Sequence, residues 1–212
     1  MSLRNKKVLI TAGPTWVPID SVRVISNIAT GRTGILLARE AARQGARVTL
    51  ILGPYAEYNL KKSIRLIHFR FFNELKDILK REIKNNKYDV VIHSAAVSDY
   101  KPKTCYMRKV KSNLKQWRLE LVPTPKIIDL IKKIDRSVFL VGFKFEPAVK
   151  REILVGKAKS LLSRAKLDLV VANTVDKNRY RAYITNQNRL YGPLKNKDAL
   201  VEQLIDLIGE RL

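Results

Sequence analysis

Apolar residues fall along the chain in two alternating rhythms. Short unbroken runs rich in Val, Ile and Leu occur at Val8–Ala12, Arg47–Gly53, within Ile64–Phe72, and at Tyr88–Ala96, Ser137–Phe143 and Leu167–Asn173. Runs of this kind are strands buried on both faces of a parallel sheet. Between them apolar positions recur at three- and four-residue spacing, the mark of a helix with one buried face. These stretches are Thr33–Arg43, the segment ELKDILKREIK, roughly 148–165, and the closing KDALVEQLIDLIGERL. Asn73 reads as the N-cap of the second and Gly45 as the C-terminal cap of the first. A polar hairpin pattern, RAYITNQNRLYG, precedes the last helix. Strands alternating with helices predict an α/β domain, a doubly wound and mostly parallel sheet with helices on both faces.

Two stretches break the rhythm. From Ser98 to Val122 the chain is polar apart from the strand-like WRLELV, which reads as a flap, an arm projecting from the sheet with a β-ribbon in it. Residues 14–30, PTWVPIDSVRVISNIAT, hold two prolines and no apolar pattern long enough for a further element. They read as a long structured loop, a kind that usually serves function. Repeats and low-complexity segments are absent, so 1–212 is expected to be one domain with the arm at about 98–122.

Composition narrows the class. The chain is 46% apolar, enough for a sizeable core, and no apolar run approaches the ~20 residues of a membrane span. The start, MSLRNKKVLI, has no secretory pattern, so a cytoplasmic location is expected. One cysteine, Cys105, and two histidines leave too few ligands for a disulfide or a transition-metal centre. The net charge of +23, from 42 Lys+Arg against 19 Asp+Glu, points to a polyanionic partner or to a solvated basic surface. The basic residues are scattered and no nucleic-acid motif is present, which disfavours nucleic acid and leaves phosphorylated metabolites.

In an open α/β sheet ligands bind beyond the carboxyl ends of the strands. Here those ends are Ala12–Thr15, Ala95–Asp99, Gly142–Phe143 and Asn173. Gly13 permits a tight turn and a close ligand, and Thr15 offers a hydroxyl. Gly31 and Gly34 open a helix whose first amides could meet an anion. The full G-x-G-x-x-G is missing, and LILGPY lacks the acidic residue that holds an NAD ribose. Asn27 is both donor and acceptor, or a plain turn residue. Asp99 could hold Mg²⁺ or a ribose hydroxyl. Lys109 and Lys111 alternate with Val110, so an extended arm turns both amines to one side, toward a polyphosphate or merely toward solvent. No G-x-S-x-G elbow, His triad or P-loop is present.

Together VLITAGPTWVPIDSVRVISNIATGRTG, AAVSDYKP, KVK, TPKIIDLI, VGFKFE and LDLVVAN resemble, in order and over essentially the whole chain, the phosphopantothenoylcysteine synthetases of coenzyme A synthesis. These are phosphopantothenate–cysteine ligases, and the form resembled is the stand-alone bacterial one, without the flavin-containing decarboxylase domain, so no flavin is expected. The resemblance implies a Rossmann-like fold, a homodimer, and a reaction in two steps through an acyl-nucleotide, driven by CTP (or ATP) with Mg²⁺. It implies that Gly13, Gly31 and Gly34 line the nucleotide loops, with Thr15, Ala95 and Asp99 beside them. Asn27 then serves turnover of the acyl-nucleotide, and Lys109 its formation. Phe143 and the turn Pro125, Lys126, Ile127 and Ile128 stand at the base, Asn173 lies in the matching AN motif, and Lys159 with Arg164 stand for the helix lysines. The chain departs from the pattern at Ala29 and Thr30, where serines are common, at KVKS, and at NTVD. Two rivals remain at this point: a nucleotide-binding protein without turnover, which needs neither Asn27 nor Lys109, and an NAD(P)-dependent oxidoreductase, which lacks a Tyr-x-x-x-Lys pair here.

Overall fold

A computed structural model describes residues 3–54 and 59–212. Met1, Ser2 and Tyr55, on which the readings of the N-terminus and of LILGPY partly rest, lie outside the described residues. The elements in chain order are β1 (Lys7–Ala12), β2 (Trp16–Pro18), β3 (Val24–Ser26), α1 (Arg32–Arg43), β4 (Arg47–Leu52), β5 (Arg65–His68), α2 (Phe72–Asn85), β6 (Val90–His93), β7 (Tyr100–Pro102), β8 (Leu121–Pro123), α3 (Ile128–Ile134), β9 (Phe139–Phe145), α4 (Arg151–Ala165), β10 (Leu169–Asp176), β11 (Arg179–Thr185), β12 (Leu190–Leu194) and α5 (Lys197–Gly209).

The central sheet has 8 strands in the order β12-β11-β10-β9-β6-β1-β4-β5. From β10 to β5 every neighbour is parallel, and β11 and β12 close one edge as an antiparallel pair. Alternate residues of each strand enter opposite cores. Val8, Ile10 and Val171 pack under α1 and α5. Leu9, Val91 and Val170 pack under α2, α3 and α4. Helices therefore cover both faces, the arrangement the apolar runs called for. The chain winds outward from β1 in both directions, to β4 and β5 on one side and to β6, β9 and β10 on the other. That reversal opens a crevice beyond the carboxyl ends of β1 and β6. Among the described residues no helix is long and apolar enough to cross a membrane.

Several local expectations are corrected. Residues 14–30 are not a bare loop: β2 and β3 form an antiparallel hairpin in register Trp16 with Ser26. The arm's ribbon pairs β7 with β8, Tyr100 opposite Pro123, so only the end of WRLELV is strand. α2 begins at Phe72 with Phe71 as N-cap, not Asn73. Glu74 outcompetes Asn73 because its carboxylate turns back to accept from the N–H groups of Arg70 (2.7 Å) and Phe71 (3.2 Å). Gly45 follows α1 with φ 88°, as a terminating glycine should.

Candidate active site

The crevice is a cleft of about 1070 Å³, just above the usual range of small-molecule sites, ~300–1,000 Å³. Its floor begins where β1 stops. Gly13 turns the chain with φ 84°, and a Cβ there would come within 3.1 Å of the Gly53 backbone. Gly31, φ 75°, is stacked on it: a Cβ would lie 3.2 Å from the nitrogen of Gly13. Gly34 sits directly on the strand, with a notional Cβ only 2.4 Å from Cβ of Ala12. These close approaches bring the start of α1 to the end of β1. Gly31 is the N-cap of α1, with no side-chain cap and no acidic residue in the first turn. Among the described residues the amides of the first turn have no partner outside the helix, except for a long 3.5 Å contact from the Arg32 N–H to the Thr30 hydroxyl. Thr30, Gly31, Arg32, Thr33 and Gly34 all line the cleft, so the positive end of the helix dipole faces it.

The hairpin brings Asn27 across to β6. Its Nδ2 donates to the carbonyl of Ala96 (3.0 Å), which also accepts from the Thr15 N–H (3.2 Å). The N–H of Ala96 donates to the carbonyl of Gly13 (2.9 Å), so the loops after β1 and β6 are zipped together. The oxygen of the Asn27 carboxamide has no partner among the described residues, and Asn27 lines the cleft. Thr15 does not reach the cleft. Its hydroxyl is 0% exposed, donates to Ser98 Oγ (3.1 Å) and accepts from the Ser98 N–H (2.9 Å). It anchors the loop instead of offering a donor to a ligand.

The opposite wall is Phe143 on β9, Asn173 on β10 and the Pro125–Ile128 turn that starts α3. Ala95 and Asp99 line the cleft beside that turn, and the Asp99 carboxylate accepts from the Lys126 ammonium. Among the described residues no three His, Cys, Asp or Glu gather as a metal cluster. Arg164 lines the wall from α4, gripped by Asp129 of α3 at 2.6–2.8 Å. Lys159 is exposed and outside the cleft. The lysine that lines it is Lys157, with Ser160 and Leu161 on the same face as Arg164. Lys157 and Lys144 both grip Glu146, at 2.7 and 2.9 Å, and these two ammonium groups hold its carboxyl below the usual range. Lys157 stands two helical turns before Arg164, and that phase was available in the sequence. Lys109 is exposed on the arm and does not line the cleft.

Sequence reasoning also missed three groups on the cleft wall. His93, at the end of β6, is buried with Nδ1 2.8 Å from the Thr11 hydroxyl, and burial pushes its pKa down to about 4, so the imidazole is neutral at pH 7. Lys197 opens α5, and burial, with the charge of Arg32, pulls its pKa down. Tyr180 turns a buried hydroxyl into the same end, with no hydrogen-bond partner among the described residues, and burial pushes its pKa up. The uncapped α1 terminus, Arg32 and Lys197 make this end positive, suited to a polyphosphate. The opposite wall, an aromatic ring with backbone turns, suits a base.

Comparisons with known proteins give the family of the chain and its fold. Residues 3–211 match the family described as the DNA/pantothenate metabolism flavoprotein C-terminal domain. A coenzyme A biosynthesis bifunctional protein, CoaBC, from Thermococcus kodakarensis is 39% identical over 220 residues, covering 100% of this chain and 53% of that protein. The namesake from Borreliella burgdorferi is 35% identical over 204 residues, 94% of this chain and 48% of the relative. The chain thus spans about half the length of these curated relatives. The crystal structure of the DNA/pantothenate metabolism flavoprotein from Streptococcus pneumoniae superposes with a TM-score of 0.87 at 27% identity, covering 98% of this chain and 100% of that one.

Proposed function

The chain belongs to the DNA/pantothenate metabolism flavoprotein C-terminal domain family, and from that premise we propose that it is a phosphopantothenate–cysteine ligase acting in coenzyme A synthesis. The reaction has two steps. The carboxylate of 4′-phosphopantothenate attacks the α-phosphorus of a nucleoside triphosphate, forming an acyl-nucleotide and expelling pyrophosphate. The amine of L-cysteine then attacks the acyl carbon, expels the nucleoside monophosphate and loses a proton, leaving an amide. The observation that carries this reading is the meeting of an uncapped helix terminus with Asn27 in one cleft. A binder without turnover needs the first alone.

In this reading the first-turn amides of α1 hold the phosphates, and Arg32 and Lys197 neutralise their charge. Phe143 stacks on the base, whose edge meets backbone groups of the Pro125–Ile128 turn and of Asn173; CTP is favoured over ATP on the family resemblance. Asn27 offers its amide to the acyl group, and the neutral imidazole of His93 lets the floor carry no further charge. The long side chain of Lys109 swings in from its stretch of the arm to offset charge as the acyl-nucleotide forms. Asp99, whose carboxylate is paired with Lys126, is the residue that would help hold a Mg²⁺ ion, in keeping with that ion's habit of taking one or two carboxylates, and the ion would supply charge neutralisation for the leaving pyrophosphate. The reading includes a cytoplasmic homodimer. The exposed Val22 and Ile28 by the hairpin and Met107 on the arm support a second copy covering that side.

The test is purified chain with phosphopantothenate, cysteine, Mg²⁺ and either CTP or ATP, read by mass spectrometry and pyrophosphate release. No pyrophosphate with any nucleotide refutes the ligase. Asn27→Asp is expected to let the acyl-nucleotide accumulate, and Lys109→Gln to slow its formation.

A further inference from the structure

The hairpin formed by β2 and β3 does more than carry Asn27. Its turn holds Asp20, 4% exposed, whose carboxylate accepts from four donors. Oδ1 takes the N–H groups of Val22 and Arg23, both at 2.9 Å, and shapes the turn itself. Oδ2 takes the guanidinium of Arg23 at 2.8 Å and, from 90 positions along the chain, the N–H of Val110 at 3.0 Å. Arg23 also donates to the carbonyl of Val110 at 3.3 Å. Both backbone polar groups of Val110 are therefore fastened to the hairpin. The arm also touches the hairpin through the Tyr106 N–H to the carbonyl of Ile19 (3.0 Å) and through Trp117, whose ring lies 5.2 Å from the Arg23 guanidinium.

We propose that Asp20 is a positioning residue for Lys109: by holding the Val110 amide it fixes the stretch of arm from which that lysine extends, and it mounts the lysine and Asn27 on one hairpin. The inference rests on the ligase reading above. A long lysine on a free arm would sample a large volume, whereas one leaving a pinned backbone loses much of that search in advance. The pin is ionic and internal. Burial would raise the Asp20 carboxyl, but the amides of Val22, Val110 and Arg23 and the guanidinium outweigh it and keep the group ionised. A carboxylate is needed for chemical reasons. An asparagine could satisfy the two turn donors with its oxygen, but its NH₂ would then face the Val110 N–H, donor against donor.

Asp20→Asn in the full chain tests this. The expected outcome is a roughly tenfold slower burst of pyrophosphate release, with the nucleotide KM within about twofold of wild type, because positioning acts on the step and not on binding. The same substitution in a Lys109→Gln background is expected to cost nothing further. Hydrogen exchange at the Val110 amide should be slow in the wild type and fast in Asp20→Asn, while the Val22 and Arg23 amides keep their protection. An equal loss in both backgrounds would assign Asp20 a general structural role and overturn the proposal, as would wild-type rates in Asp20→Asn. An unprotected Val110 amide in the wild-type chain overturns it even if the variant does not fold. A wild-type chain that releases no pyrophosphate overturns the ligase reading and this inference with it, and Val110 exchange then reports the pin by itself.

Discussion

Gly34→Ala puts the packing of the cleft to the most direct test. The new methyl group would start 2.4 Å from Cβ of Ala12 and 2.9 Å from Oγ of Ser94. Carbon atoms settle at about 3.5–4.0 Å, so α1 must lift from β1 by roughly 1 Å. Ser94 cannot simply swing aside, since its hydroxyl donates to the Thr11 carbonyl at 2.7 Å. Overpacking of this kind costs about 1–3 kcal/mol, against which alanine's better helix propensity returns at most about 1 kcal/mol. Gly34 stands in the first turn of α1, where little of that propensity counts, so the net is about 1–3 kcal/mol of destabilisation, a melting point lower by roughly 2–12 °C in a chain this long. Gly156→Ala in α4 is the control. Its methyl group would meet nothing within 4 Å, so propensity acts alone and stability should rise by about 0.5–1 kcal/mol. Lifting α1 also draws its amides away from the phosphates, where each hydrogen bond to a charged group is worth about 1.5–3 kcal/mol. The nucleotide KM should therefore rise about tenfold or more in Gly34→Ala and stay put in Gly156→Ala. Thermal unfolding followed by circular dichroism, with steady-state kinetics on both variants, measures all four quantities. A Gly34→Ala protein that melts at or above wild type would refute the reasoning about contact.

Other expectations follow from single side chains. Lys157→Met should raise the nucleotide KM about tenfold, a charge-assisted bond's worth, while Lys159→Met leaves it unchanged; the reverse order would show that the wrong face of α4 has been assigned. His93 is neutral in the folded chain down to about pH 4 but titrates near 6.5 when unfolded. The stability it allows is whole above about pH 6.5 and falls as the pH drops toward 4, by about 3 kcal/mol for a shift of this size. Urea midpoints from pH 7 to pH 4 should fall less steeply in His93→Gln, and parallel curves would remove His93 as the cause.

Much of the fold was legible because strands buried on both faces leave unbroken apolar runs, and because the ligand side of such a sheet follows from its winding. The glycines at 13, 31 and 34 were readable as turn and contact residues for the same reason. The hairpin was not, since β2 and β3 are 3 residues each with Pro18 among them, too short to show a period. Thr15 misled because its residue type suits a ligand while its partner, Ser98, lies 83 positions away and cannot be inferred from local sequence. Lys159 misled for a different cause: it was matched by motif, whereas helical phase from Arg164 selects Lys157. The arm's attachment through Asp20 and Val110 left no signal, because a buried carboxylate serving four donors is spelled like any turn aspartate.

The zipping of the loops after β1 and β6, and the presence of Lys197 on the cleft wall, bear on how the protein is made. Asn27 meets Ala96 across 69 positions and Thr15 meets Ser98 across 83, and Lys197 belongs to the last helix. A chain leaving the ribosome N-terminus first has its glycine turns early but cannot complete the positive end of the cleft until α5 has emerged and packed on α1. Contacts at such separation close late in folding. On the ligase reading, nucleotide binding therefore waits until α5 has packed on α1, and a nucleotide present at that moment would stabilise the finished fold and none of the partly made ones.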